Sequence, residues 1–129
     1  MLALRSPHEA YRRVDFDARV EGADPAQLLS MCYEQLVGAL GSALFAHERG
    51  DNLLKSQSLT RGLSAITALR LGVSGEEGVA GALLQLYEAV RRSILDSALN
   101  FDPEVITRIR DDFIEISRAM AQAAAAQRA

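Results

Sequence analysis

Twice in this chain an aspartate stands directly before a proline, at Asp24-Pro25 and at Asp102-Pro103, and each pair opens a long stretch of apolar residues at helical spacing. The carboxylate accepts from the free N–H groups of a first helical turn, and proline in that turn loses no hydrogen bond, because the N–H it lacks would have no partner there. Two helices are therefore expected to begin at residues 25 and 103. Between them, Gly50-Asp51 reads as a C-terminal glycine followed at once by the next N-cap, and Gly72, Ser74, Gly75 and Gly78 form the most breakable stretch of the chain. The expected helices cover residues 25–49, 52–71, about 79–98, and 103 into the alanine run at 123–126. Tight connections make successive helices antiparallel, so the expected fold is all-α, an up-down-up-down four-helix bundle over residues 24–129. Residues 1–23 contain Pro7 and Gly22 and lack sustained periodicity; they are expected to form an N-terminal arm or a short cap helix, with a turn of helix around residues 9–14.

The apolar spacing supports a bundle and then exceeds what one needs. In the fourth helix Ile106, Ile109, Phe113, Ile116, Met120 and Ala123 advance by threes and fours, one buried seam. The second has its seam at Leu59, Gly62, Ile66, Leu69 and Val73, with Leu54 and Leu63 lying away from it. The third carries one stripe at Val79, Leu83, Leu86, Val90, Ile94 and Ser97 and another at Ala80, Leu84, Tyr87, Arg91 and Leu95. The first is similarly broad, with Leu28, Cys32, Leu36, Ala39 and Ala43 beside Tyr33, Val37, Leu40 and Leu44. The surplus stripes have four possible uses: they widen the core, receive the arm, form a homodimer seam, or take an external chain.

The 129 residues are 49% apolar and 24% charged, which suits one folded domain. Aromatic residues make up only 5%, while alanine and leucine abound, which favours helix. The net charge of −3 arises from interspersed signs, so no basic stripe offers itself to nucleic acid. Cys32 is the only cysteine, which excludes an internal disulfide and fits a reducing compartment. Residues 1–6 contain no apolar signal region, and the longest uncharged run, 35–46, is too short for a bilayer; a cytoplasmic location without membrane insertion is expected.

Catalytic patterns are missing. No glutamate has a histidine three residues later, as a di-metal bundle needs, and His8 and His47 are isolated. There is no phosphate loop, and Ser64 lacks the second glycine of a nucleophile elbow. Cys32 falls on an apolar face, and the adjacent acids Asp111-Asp112 and Glu76-Glu77 do not face each other on a helix. The expectation is a protein without catalytic residues, metal or cofactor, hence not an enzyme.

Several fragments recur in a recognisable order. Ala10-Tyr11 lies in the arm; Pro25-Ala26-Gln27-Leu28 precedes Met31-Cys32-Tyr33-Glu34; Gly50-Asp51 separates the first two helices; Leu83-Leu84-Gln85-Leu86-Tyr87-Glu88 lies on the third. With them the chain resembles the flagellar secretion chaperone FliS family over about residues 10–120. The resemblance implies a chaperone that binds the disordered C-terminal segment of flagellin, prevents premature polymerisation and assists delivery to the flagellar type III export apparatus, the client wrapping around the bundle. It implies a displaceable N-terminal lid, here Tyr11 and Val14, and the surplus stripes then suggest client contacts at Leu54, Leu63, Leu84, Tyr87 and Leu95. An export-gate component, an anti-sigma factor or a co-chaperone stays open as a further partner. Ala82, Ser97-Ala98 and Met120 depart from the family's frequent asparagine, Ala-Asn and tryptophan, which puts conventional polar contacts to the client in doubt. The alternative reading is a helical interaction module or homodimeric regulatory bundle without a flagellin client.

Overall fold

The computed structural model describes residues 22 and 24–128, so the expected arm, with Tyr11 and Val14, lies outside the described residues. Four helices follow one another: α1 (Pro25–Arg49), α2 (Asn52–Leu71), α3 (Val79–Ser97) and α4 (Pro103–Arg128). There is no strand among the described residues.

Local chemistry sets the helix ends. Asp24 Oδ1 accepts from the Gln27 N–H at 2.8 Å while Gln27 Oε1 accepts from the Asp24 N–H at 2.9 Å, a reciprocal capping box. At the other end of α1 the Gly50 N–H donates to the His47 carbonyl and the Asp51 N–H to the Ala46 carbonyl, the paired closure of a Schellman turn. That turn needs a left-handed residue, and Gly50 supplies φ 68°. Asp51 then caps α2 by accepting from the Leu54 N–H at 3.0 Å. Asp102 accepts from the Glu104 N–H at 3.0 Å and opens α4.

The neighbours run antiparallel. Along α1 and α2, His47 lies opposite Lys55, Ser42 opposite Ser58, and Leu40 opposite Gly62. Gly62 also meets Ile94, and Arg70 meets Glu88, which sets α3 against α2. Ser58 is wholly buried, and its hydroxyl is satisfied by Ser42 Oγ at 2.9 Å. The loop between α3 and α4 is held at Phe101, whose ring stacks on His47 at 4.4 Å with Lys55 Nζ 5.2 Å from its centroid.

The core draws on all four helices, with Leu36, Leu40, Ile66, Ile94 and Ile106 among its enclosed members. The α2 seam is as expected at Leu59, Gly62, Ile66 and Leu69. The α4 seam fades after Phe113: Ile116 and Met120 are half-buried and Ala123 is exposed. In α1 the core face is turned toward Tyr33, Leu36, Leu40 and Ala43, leaving Leu28 and Cys32 half-buried. Contact between α3 and α4 is sparse, in contrast to the close packing of α1 on α2.

The expectation that no segment can cross a bilayer counted unbroken uncharged runs. By length and by the mean hydropathy of a stretch within it that tolerates a charge or two, α1 is long and apolar enough for a span. Its apolar side from Met31 to Ala46 is turned into the protein core, the other use for such a sequence.

Two glycines give opposite predictions. Gly50→Ala puts a Cβ into a left-handed residue and should lower unfolding stability by about 1 kcal/mol. Gly38 is exposed inside α1, and a Cβ there meets nothing within 4 Å, so Gly38→Ala should raise stability by about 0.5–1 kcal/mol. Urea unfolding of the two variants checks both signs.

Candidate functional site

Three rings from three helices meet inside the bundle. Tyr33 of α1 lies 5.4 Å from Phe113 of α4 and 6.5 Å from Tyr87 of α3, centroid to centroid, and Tyr87 lies 6.4 Å from Phe113. The Tyr33 and Tyr87 hydroxyls are hydrogen-bonded to each other, and both residues are 2% exposed. Burial first, and the bond to Tyr87 second, push the Tyr33 phenol above its ordinary value, so it stays protonated at neutral pH. Two hydroxyls carry two hydrogens, and the bond between them uses one. The other hydrogen has no oxygen or nitrogen acceptor among the described residues. A buried donor left in this state costs about 1–3 kcal/mol.

This cluster corrects the expected orientation of α3. Tyr87, expected on the open stripe with Leu84 and Leu95, is enclosed by Tyr33 and Phe113, because a ring can cross the space that the sparse α3–α4 contact leaves. Leu86 and Val79, expected in the seam, are 37% and 78% exposed. The core face of α3 therefore runs through Tyr87, Val90, Ile94 and Ser97.

The remaining expected contact residues separate by flank. Leu84 and Leu95 are about three helical turns apart and share a side of α3 with Glu88, which reaches Arg70 of α2. That side faces α2, where Leu63 shares the flank of Arg70 two turns away. Leu84 and Leu63 are half-buried and Leu95 is 42% exposed. Leu54 lies about two and a half turns from Leu63, on the opposite flank of α2, so the structure does not bring the five residues onto one face. Leu86 and Val79 lie on the other flank of α3, toward α4. Their outward position was not legible from spacing alone, since both fit the seam pattern.

Charge closes the α2–α3 flank. Glu88 takes Arg91 Nη2 at 2.6 Å, Arg70 Nη1 at 3.3 Å and Arg92 Nε at 3.6 Å. The hydrogen bond from Arg91 is the main cause that holds the Glu88 carboxyl down at about 2; desolvation opposes it, and the charges of Arg91, Arg70 and Arg92 add to the lowering. A depressed carboxylate stabilises the fold above its ordinary pKa of 4.5 and loses that contribution as pH falls toward 2. Glu88→Gln should accordingly be less stable than the parent at pH 7, with the gap shrinking between pH 4 and pH 2 in urea titrations.

Among the described residues no group of three or more His, Cys, Asp or Glu could hold a metal ion. Burial pushes the Cys32 thiol above its ordinary value, which removes thiolate at neutral pH.

The tyrosine pair makes a stability prediction. Tyr33→Phe or Tyr87→Phe alone breaks the shared hydrogen bond and leaves one hydroxyl stranded, and should cost about 1 kcal/mol. The double Phe variant removes both polar groups and should be at least as stable as the parent, an ordering that urea unfolding of all four proteins reads directly.

Known proteins share this sequence pattern along most of its length. The family model described as flagellar protein FliS matches residues 7–127. The flagellar secretion chaperone FliS of Salmonella typhimurium is 29% identical over 117 residues, 88% of this chain and 87% of that protein. The flagellar secretion chaperone FliS of Vibrio cholerae serotype O1 is 29% identical over 122 residues, 93% of this chain and 87% of that protein. With four antiparallel helices and a family match spanning nearly all of its residues, the chain belongs to the FliS family of flagellar proteins.

Proposed function

We propose that this chain is a cytoplasmic export chaperone that binds the disordered C-terminal segment of flagellin, keeps it from polymerising early and assists its delivery to the flagellar type III export apparatus. The observation that carries the reading is α3, which has leucines open to solvent on both flanks, Leu95 with the half-buried Leu84 toward α2 and Leu86 toward α4. Membership of a family whose relatives are named flagellar secretion chaperones supports the class of client. An amphipathic segment that forms helix on contact lays its apolar side along such a surface, and its own assembly is then blocked by competition. Leu63 adds to the α2–α3 side, and Leu54, on the far flank of α2, is reached by a client that wraps around the bundle. Coupled folding of this kind buries on the order of 1,000–3,000 Å² and costs about 2–5 kcal/mol in ordering, so the client stays releasable. The role is that of a binding protein rather than an enzyme.

Isothermal titration with a peptide of the C-terminal segment of the organism's own flagellin tests the reading. One-to-one binding with a negative heat-capacity change is expected. The variant Leu84→Asp/Leu95→Asp should bind at least tenfold more weakly with unchanged helical circular dichroism. Absence of binding by the parent protein, or equal binding by the variant, rules the proposed client surface out.

A further inference from the structure

The Tyr33–Tyr87 pair is a poor choice for a core that only has to be stable. Two phenylalanines would fill nearly the same space without a stranded hydrogen. Phe113, the third ring of the cluster, has no oxygen or nitrogen to accept it, and neither tyrosine makes another bond among the described residues. The spare donor is therefore a binding capacity that the described residues do not use.

Its position gives that capacity a direction. Tyr87 and Phe113 stand on α3 and α4, the neighbouring helices that touch only sparsely. One turn from Tyr87 is Leu83, and one and two turns from Phe113 are Ile116 and Met120, all half-buried. Methionine adapts its shape at low cost, so this side of the core yields to an incoming side chain more readily than the close α1–α2 side. Leu86, 37% exposed on the α4 flank of α3, marks the outside of the same seam.

We infer that the Tyr33–Tyr87 hydroxyl pair is a docking point for one neutral hydrogen-bond acceptor of the seated segment, the carboxamide oxygen of an asparagine or glutamine side chain entering between α3 and α4. The acceptor belongs to a side chain, because the backbone carbonyls of a helical client are already bonded within its own helix. It is neutral, because a carboxylate buried against a single phenol donor lacks the pairing that offsets its desolvation. Insertion completes the second hydrogen bond of the pair and fixes the register of the client along the seam. The inference rests on the flagellin-binding reading above and adds to it a specificity-determining pair.

The test is a set of titrations of the full chain with the flagellin C-terminal peptide. Each single variant, Tyr33→Phe or Tyr87→Phe, still has one hydroxyl hydrogen to give and should bind within about threefold of the parent. The double Phe variant has none and should bind about tenfold more weakly, a non-additive pattern that loss of packing does not produce. A peptide panel with each asparagine and glutamine changed to alanine identifies the acceptor: one substitution should weaken binding to the parent about tenfold and leave binding to the double variant unchanged. If the parent binds the peptide and the double variant binds it equally, if the losses are additive, or if the double variant fails to fold, the docking point does not exist. If the parent itself does not bind, the flagellin reading has failed rather than this pair.

Discussion

Helices α1, α3 and α4 are joined inside the bundle by one aromatic cluster. Contact between α3 and α4 is sparse, and Tyr33, Tyr87 and Phe113 span the interior at centroid distances that ordinary aliphatic side chains would not cover. The bridge sets the rotation of α3 about its own axis. Once Tyr87 is turned inward, Leu84 and Leu95 fall on one flank and Leu86 and Val79 on the other. The distribution of exposed leucines that supports a binding role is thus a consequence of a packing decision made at one tyrosine.

The helix boundaries were legible because they depend on neighbours close in sequence. Asp24, Asp51 and Asp102 each accept from N–H groups two or three residues ahead, and Gly50 closes α1 on carbonyls three and four residues behind it or its successor's five. The rotation of α3 was not legible for the opposite reason. Its core face takes Val90, Ile94 and Ser97 from one expected stripe and Tyr87 from the other, and the partner that holds Tyr87 inside, Tyr33, lies 54 positions earlier in the chain. Leu54 and Leu63 were likewise grouped by what they were not, members of the α2 seam, although their separation of half a turn in phase could have been read from spacing. The family resemblance came from short fragments in order, and the match over residues 7–127 has the same extent and more.

The two sides of α3 differ in chemistry as well as in packing. Toward α2, leucines alternate with the Arg70–Glu88–Arg91 cluster, a partly exposed ion network that ties the helices together and stays wet. Away from α2 the side chains are apolar: Leu83, Ile116 and Met120 pack half-buried against the core and Leu86 is partly exposed. The two flanks of α3 therefore differ in their response to salt, one held by ion pairs and the other by apolar side chains alone.

The junction at Gly50-Asp51 has a mechanical consequence. The residue that closes α1 is followed at once by the residue that starts α2, so the connection has no slack and the angle between the two helices is set by their caps. The link from Gly72 to Gly78 is longer and includes left-handed backbone at Gly75 and Gly78, positions that only glycine occupies without strain. Two corners of one bundle are thus built differently: α1 and α2 meet at a fixed angle, whereas α2 and α3 are joined by a seven-residue link.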